Sequence, residues 1–212
     1  MKKKIIFDLD GTLTDSGEGI KNCAGLTLEH FHLPIKCRDD LGFFVGPPLG
    51  ESFKKFGVPE DQVEEAIRVF RVHYQAGGKY ENYPYPGVVD MLKTLQSQGH
   101  HLYIATAKAE PLALDILEHF ELAQYFEKIC GASMDSSRTT KEAVLEYLLQ
   151  EIGPKDNMVM VGDTIYDVEG AKYHGIPAIG VSWGYGSVQE MKDAGADAIA
   201  DTTEEVITLL NQ

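Results

Sequence analysis

The chain has 212 residues, of which 43% are hydrophobic and 25% are charged, a composition typical of a globular protein with an ample core. Its formal net charge of -14 argues against a basic surface for a nucleic acid polymer or an anionic membrane. No run approaches the roughly 20 apolar residues that a membrane span needs, so we expect no partner of either kind.

The cysteines and the amino-terminal residues indicate the compartment. Cys23, Cys37 and Cys130 are odd in number and widely spaced, which predicts reduced thiols rather than a disulfide framework or a zinc site. Met1-Lys2-Lys3-Lys4 resembles the start of a signal peptide, but the apolar run after it stops at Asp8 and is too short. We therefore expect a cytoplasmic protein.

The first predicted element is a buried strand, Lys4-Ile5-Ile6-Phe7, which ends in Asp8 and Asp10. Side chains alternate along a strand, so both carboxylates point the same way. Two like charges this close are unfavourable unless a cation lies between them. Gly11 then allows a sharp turn. An acidic turn after a strand explains Asp-x-Asp alone equally well, so the rest of the chain has to decide.

A helical block follows, and a composition break at Tyr83-Pro84-Tyr85-Pro86-Gly87 ends it. Its predicted elements are a helix over 15–32 ended by Pro34, an ordered loop over 41–49, a short helix over 51–56 and a long helix over 59–77. We expect residues 15–82 to form a small all-helical domain, and residues 1–14 and 83–212 to form the catalytic core.

After the break, predicted helices alternate with predicted strands. The strands are expected over 101–105, 128–130, 157–161, 177–181 and 198–200, and the helices over 88–98, 110–120, 140–151, 165–174, 187–194 and 203–210. This alternation predicts an α/β fold, a Rossmann-like three-layer core in which helices cover both faces of a parallel sheet.

Polar residues stand where these strands end or helices begin. They comprise four carboxylates, one hydroxyl and two ammonium groups: Asp8, Asp10, Asp163, Asp167, Thr106, Lys108 and Lys141. Ligands of parallel sheets bind beyond the carboxyl ends of the strands. The set therefore predicts a site for a divalent cation and a phosphate.

The chemistry of these residues suits phosphoryl transfer with Mg²⁺. Asp8 and Asp163 would supply carboxylates to the metal, with a backbone carbonyl near Asp10 as a third ligand. The Thr106 hydroxyl and the N–H groups after it would hold phosphoryl oxygens, and Lys141 would offset the phosphate charge. A carboxylate can attack phosphorus to form an aspartyl-phosphate. Asp10 would protonate the leaving alcohol and then activate water.

Each residue alone has an ordinary explanation. Thr106 alone fits a turn at the end of a strand, and Lys141 alone fits a solvated lysine in a first helical turn. Gly162-Asp163 with Asp167 fits a turn and a helix cap. The joint arrangement favours the site.

In chain order, four motifs resemble those of the haloacid dehalogenase-like hydrolases. They are Asp8-Leu9-Asp10-Gly11-Thr12-Leu13-Thr14-Asp15-Ser16, Thr106-Ala107-Lys108, Lys141 and Gly162-Asp163-Thr164-Ile165-Tyr166-Asp167. The resemblance implies that Asp8 is the nucleophile and Asp10 the general acid and base. Thr106 and Lys141 would anchor the phosphate.

The resemblance also implies a metal site and a cap. Asp8, Asp163 and the carbonyl of Asp10 would bind Mg²⁺ directly. Asp167 would support these ligands without being one of them. Ala107 and Lys108 would add substrate contacts; alanine is a mild departure from the family pattern, which matters little if only its N–H is used. The helical block would be a cap that closes over the site and reads the leaving group.

Asp10 narrows the activity that the resemblance implies. Dehalogenase members lack an acid at this position and need no metal, and transport ATPases carry threonine there. Phosphate ester hydrolysis or phosphoryl transfer is therefore expected.

The expected substrate is a small phosphorylated metabolite. The loop from Phe44 to Phe53 and the junction Tyr85-Pro86-Gly87-Val88 resemble the phosphoglycolate phosphatase-like branch, and within it a 5′-nucleotidase-like group. Phosphoglycolate and a nucleoside 5′-monophosphate are the two candidates. Phe43 and Phe44 would either stack on a base or belong to the core of the helical block.

Two other activities remain open. A sugar-phosphate mutase of the β-phosphoglucomutase kind would pass the aspartyl-phosphate to another hydroxyl. A receiver-type signalling switch also gathers acidic residues at strand ends, but receivers are short, uncapped and phosphorylated on a middle strand. We expect a monomer or a homodimer.

Overall fold

The computed structural model describes residues 2–135, 137–154 and 156–212, which form two compact units. The larger unit consists of Met1–Thr14 and Pro84–Gln212, and the smaller unit is Asp15–Tyr83. Each unit has its own buried core. Within the described part of the chain, every helix is too short or too polar to cross a lipid bilayer.

The elements follow the predicted order. The strands are β1 (Lys4–Phe7), β2 (Thr14–Asp15), β3 (Tyr83–Pro84), β4 (His101–Ala109), β5 (Lys128–Ala132), β6 (Met158–Gly162), β7 (Ala178–Val181) and β8 (Ala198–Ala200). The α-helices are α1 (Gly17–His30), α2 (Leu49–Phe56), α3 (Val63–Ala76), α4 (Val88–Ser97), α5 (Glu110–His119), α6 (Lys141–Ile152), α7 (Ile165–Tyr173), α8 (Val188–Asp193) and α9 (Thr203–Leu210).

Six strands form one parallel sheet in the order β5-β4-β1-β6-β7-β8. Ile6 in β1 packs in a buried cluster with residues of α6, α7 and α8. Ile5 and Phe7 point to the opposite face and are also fully buried. Both faces of the sheet are therefore covered. The predicted α/β fold, a parallel sheet with a helical insertion near the amino terminus, is confirmed.

The order of the strands brings the functional motifs together. β1 lies in the middle of the sheet, between β4 and β6. The chain adds β4 and β5 on one side of β1 and then returns to add β6, β7 and β8 on the other. A crevice beyond the carboxyl ends of the strands is expected at such a reversal. Asp8 follows β1, Asp163 follows β6, and Thr106 lies in the last part of β4.

Two predicted boundaries are wrong. The strand expected over 101–105 continues to Ala109, with a change of register between Ala105 and Ala109 where pairing with β5 resumes at Ala132. Thr106-Ala107-Lys108 thus lies in this irregular stretch rather than after the strand. The segment expected as a loop over 41–49 is partly a 3-10 helix, Arg38–Phe44, because Leu41 and Phe44 are drawn into the core of the smaller unit.

An aromatic cluster fills the smaller unit. Phe44 is 2% exposed and stacks on Phe43, with ring centroids 4.9 Å apart. Phe53 meets Phe44 edge to face at 5.0 Å and lies 6.3 Å from Phe70. Of the two roles left open for Phe44, its burial supports the core. We therefore withdraw the predicted substrate contact at Phe44.

Replacing Phe44 by alanine should destabilise the smaller unit. Truncating a buried phenylalanine typically costs about 3–5 kcal/mol because it leaves a cavity. Hydrogen exchange of peptides within residues 15–83, read by mass spectrometry, should accelerate in Phe44→Ala. Leu26→Ala is the matched control, because Leu26 is a 47% exposed residue of the same unit, and its exchange should stay near wild type. Unchanged exchange in Phe44→Ala, together with weaker substrate binding, would return Phe44 to the substrate site.

Candidate active site

The Lys141 ammonium lies at the centre of a buried cluster. Its Nζ is 2.8 Å from Asp8 Oδ1 and 2.7 Å from Asp167 Oδ1, and it donates to the Ala105 carbonyl at 2.9 Å. Lys141 is 5% exposed. Three acceptors therefore occupy the three N–H groups of this ammonium. Lys141 is not a solvated lysine of a first helical turn.

Asp163 lies beside this cluster and is held by two donors. It follows β6 and is fully buried. Its Oδ1 accepts from the Thr12 hydroxyl at 3.0 Å, and its Oδ2 accepts from the Tyr185 backbone N–H at 2.9 Å. One carboxylate oxygen each of Asp8, Asp163 and Asp167 lies within 4.8 Å of the others. The three side chains could hold one metal ion.

Glycines allow the backbone to approach Asp163 closely. Gly11 has a φ of +85°, and a Cβ there would lie 2.2 Å from Asp163 Oδ2. A Cβ on Gly184 would lie 2.3 Å from the Asp163 Cβ. The loop of Gly184-Tyr185-Gly186 lies outside the set of predicted site residues. Two glycines flanking a tyrosine after a predicted strand were the available signal.

Asp167 has a structural contact as well as its contact with Lys141. Its Oδ2 accepts from the backbone N–H and the hydroxyl of Thr164, at 3.0 and 2.8 Å. These bonds cap the start of α7. Both oxygens of Asp167 are therefore engaged by protein groups, which orient the side chain behind Asp8 and Asp163.

The charges of the cluster do not balance within the protein. Burial raises the pKa of Asp8 to about 6, although Lys141 opposes the shift. Burial and the neighbouring Asp167 and Asp8 also raise the pKa of Asp163. Burial disfavours the charge of Lys141, but Asp167 and Asp8 outweigh it and raise the Lys141 pKa. Three carboxylates facing one ammonium suit a divalent cation, and an all-oxygen donor set suits a hard one.

Asp10 is paired with a lysine from the β4 motif. Lys108 Nζ lies 2.8 Å from Asp10 Oδ2, and both side chains are largely buried. Asp10 Oδ1 is buried without a hydrogen-bond partner among the described residues. The Thr106 hydroxyl oxygen accepts from the Lys108 backbone N–H at 3.2 Å, and Ala107 beside it is half-buried. The predicted site residues, apart from Phe44, thus lie in the larger unit.

The sequence was compared with protein-family models and with known proteins, and both comparisons find similar hydrolases or phosphoryl-transfer proteins. The family model described as haloacid dehalogenase-like hydrolase matches residues 5–181. The tyrosine-protein kinase PtkA of Mycobacterium tuberculosis is 42% identical over 205 residues, which are 96% of this chain and 67% of that protein. A 5′-nucleotidase of Pseudomonas aeruginosa is 36% identical over 190 residues, 89% of this chain and 86% of that protein.

A solved structure matches over the full length. The crystal structure of a predicted phosphatase from Clostridium acetobutylicum has a TM-score of 0.95 and 39% sequence identity, and the match covers 100% of both chains. The likeness therefore includes the helical insertion as well as the parallel sheet.

The metal-free protein should lose stability as the pH rises from 5 to 8. The folded-state pKa of Asp8, about 6, is above its ordinary value of 3.8, so the folded chain binds more protons between those values. The stability linked to this proton is present below 3.8 and is lost as the pH rises through about 6. Melting temperatures measured in EDTA across this range test the expectation.

Asp8→Asn isolates the contribution, because it removes the titrating group while keeping the side-chain shape. Its melting temperature should fall less between pH 5 and 8 than that of the wild type. Parallel curves for the two proteins would contradict the assigned shift.

Proposed function

The chain belongs to the haloacid dehalogenase-like hydrolases and is a phosphatase of that family, and from this premise we propose that it is a Mg²⁺-dependent phosphomonoesterase acting on a nucleoside 5′-monophosphate, with phosphoglycolate as the competing substrate. The observation that carries the proposal is the cluster of Asp8, Asp163 and Asp167 around Lys141. It combines a nucleophile, a cation site and a counter-charge for phosphate.

Asp8 and Asp163 would hold the Mg²⁺ with the carbonyl of Asp10. When bound, the ion offsets the carboxylate charges and draws electron density from the phosphoryl oxygens. Asp167 would keep Lys141 in place, since it bonds Lys141 on one side and the start of α7 on the other.

In the first step an Asp8 oxygen attacks phosphorus and the bond from phosphorus to the ester oxygen breaks. The ester oxygen takes a proton from Asp10, so the product leaves as an alcohol. Lys141 holds Asp8 Oδ1 through its 2.8 Å contact, which limits the rotation of the carboxylate before attack. The product on the protein is an aspartyl-phosphate.

In the second step Asp10 takes a proton from water as the water oxygen attacks phosphorus. The bond between phosphorus and Asp8 breaks, which restores the carboxylate and releases orthophosphate. Asp10 Oδ1, which has no hydrogen-bond donor within the described part of the chain, supports this role, because a buried carboxylate oxygen of this kind is available to a substrate or a water molecule. Lys108 would orient Asp10 through the other oxygen.

The Thr106 hydroxyl and the Ala107 N–H would anchor the phosphate, with Lys108 next in the chain, and Lys141, whose three N–H groups have acceptors in this structure, would offset the phosphate charge. The irregular stretch of β4 supports this assignment, because its backbone groups are not all used in regular pairing with β5.

We also propose that the smaller unit is the cap that reads the leaving group. Cys23, Cys37 and Cys130 are odd in number and form no disulfide among the described residues, which supports a reducing, cytoplasmic location.

A nucleoside 5′-monophosphate is preferred because the Pseudomonas relative is named a 5′-nucleotidase. Phosphate release from a panel of phosphorylated metabolites tests this choice. We expect kcat/KM for at least one nucleoside 5′-monophosphate to exceed that for phosphoglycolate by about tenfold, since one specific contact to the leaving group is worth roughly 1.4 kcal/mol. A higher value for phosphoglycolate would overturn the choice of substrate while leaving the reaction class intact.

A second candidate is phosphoryl transfer to tyrosine, because a 42% identical relative is named a tyrosine-protein kinase. Incubation with MgATP and a tyrosine-containing polypeptide distinguishes the two by transfer of label to tyrosine rather than to water. Chromatography of sugar phosphates addresses the mutase alternative, since a mutase isomerises them with little release of phosphate.

Substitution of Asp8 and substitution of Asp10 should change the turnover of phosphate esters in different ways. Asp8→Asn should abolish hydrolysis of p-nitrophenyl phosphate, because the amide is a poor nucleophile. Asp10→Asn should slow turnover by about 10²–10⁴-fold, the usual contribution of a general acid and base, but should keep an initial burst of p-nitrophenol, which leaves without a proton.

Asp90→Asn, at an exposed position in α4, is the matched control and should keep wild-type activity. Circular dichroism of each variant checks that it is folded. Activity retained by Asp8→Asn would remove the nucleophile assignment.

A further inference from the structure

A cavity of about 350 Å³ lies in the larger unit and includes none of the residues assigned to the reaction. Its walls come from the turn before α4, the loop after β7 and the start of α9. The volume lies at the small end of the roughly 300–1,000 Å³ that small-molecule sites occupy.

Two aromatic side chains form one side of the cavity. The rings of Tyr85 and Trp183 have centroids 6.5 Å apart and planes inclined at 61°. The Tyr85 backbone N–H donates to the Leu13 carbonyl at 3.0 Å, and Trp183 Nε1 donates to the Thr12 carbonyl at 3.1 Å. Both residues are therefore fixed to the same turn, Trp183 through its ring nitrogen and Tyr85 through its backbone.

Two carboxylates also line the cavity. Asp201 and Glu204 are exposed residues that line the cavity, and among the described residues none that lines it carries a positive charge. Asp201 Oδ1 accepts from the Ser182 hydroxyl at 2.6 Å. Hydrogen bonds from its own backbone N–H and from the Thr202 hydroxyl hold the pKa of Glu204 below its ordinary value. Glu204 is therefore ionised at neutral pH.

The start of α9 does not favour an anion here. A helix amino terminus ordinarily attracts negative charge through its free N–H groups. In α9, however, Glu204 and Glu205 occupy the first turn, and the Glu205 N–H already donates to Thr202 Oγ1 at 3.2 Å. The Asp201 N–H donates to Glu205 Oε2 at 2.7 Å. The cavity thus presents negative charge, and its principal donors are already used.

A metal ion is also a poor occupant. Across the described residues, the one group of three carboxylate, histidine or cysteine ligands within reach of each other is Asp8, Asp163 and Asp167. Asp201 and Glu204 lack a third such ligand. Aromatic faces beside carboxylates are instead the surroundings that bind organic cations.

We propose that this cavity binds a small organic cation, an ammonium or guanidinium group on a short apolar stem. The cation would lie against the rings of Trp183 and Tyr85 and pair with Glu204 and Asp201. Trp183 belongs to the loop whose Tyr185 N–H holds Asp163, so an occupant contacts the segment that positions a metal-binding carboxylate. The proposal goes beyond phosphate ester hydrolysis and does not depend on it.

The fluorescence of Trp183 reports on the cavity directly, because it is the one tryptophan in the sequence. The probes are n-butylammonium and n-butylguanidinium, titrated into Mg²⁺-saturated protein at constant ionic strength. We expect a saturable change in tryptophan emission with each cation. Butan-1-ol and butyrate, which share the stem without the positive charge, should produce no saturable change.

Charge removal at the cavity supplies the second readout. Glu204→Gln should weaken binding of both cations by about tenfold, because a hydrogen bond between two charged groups is roughly twice as strong as a neutral one. Glu118→Gln makes the same change at an exposed position in α5 and should bind as the wild type does. Equal affinities of Glu204→Gln and wild type would overturn the proposal.

Two further results would also overturn it. A saturable response to butan-1-ol would make the cavity an apolar slot, and a response to Ca²⁺ as large as that to the organic cations would make it a metal site. Hydrolysis of p-nitrophenyl phosphate is measured separately, so loss of the proposed phosphatase activity would leave this test unaffected.

Discussion

The Lys141 ammonium lies between Asp8 and Asp167, with its nitrogen 2.8 and 2.7 Å from one oxygen of each. The rest of the site depends on this contact, because the carboxylates are buried and repel one another. Removing one partner of a buried ion pair typically costs about 3–5 kcal/mol, since it leaves an uncompensated charge. The cluster still carries more negative than positive charge, and this excess is the physical reason to expect a cation.

The elements that form the sheet also hold the site together. Asp8 follows β1 and Asp163 follows β6, and these strands pair directly in the middle of the sheet. Asp167 caps α7 and bonds Lys141 at the start of α6, so a local helix cap and a charge contact use the same side chain. The loop after β7 then buries Asp163 through the Tyr185 N–H and the close approach of Gly184. The positions of the carboxylates therefore depend on all of these segments.

Much of this arrangement could be predicted from local patterns. The alternation of predicted helices and strands indicates the parallel sheet, and the polar residues at strand ends and at the start of a helix indicate that Asp8, Asp163 and Lys141 lie close together. These predictions succeed because strand direction alone brings the carboxyl ends to one edge. The continuation of β4 to Ala109 could not be predicted, because it depends on pairing with β5.

Other features depend on contacts between distant residues. Lys108 pairs with Asp10 although the two residues are about 100 positions apart in the chain. The loop after β7 covers Asp163, and no local sequence pattern indicates this contact. Phe44 shows the same limit: an aromatic residue in a loop rich in glycine and proline fits a substrate surface or a core equally well. Its place in the core is decided by Phe43 and Phe53.

In the proposed mechanism, Asp8 carries the phosphoryl group during turnover. Acid quenching of Asp10→Asn during turnover of p-nitrophenyl phosphate, followed by peptide mass spectrometry, tests it most directly, because this variant should form the intermediate faster than it hydrolyses it. We expect one added phosphoryl group on the peptide that contains Asp8. A phosphoryl group on another residue, or turnover with no phosphorylated peptide at any time point, would contradict it.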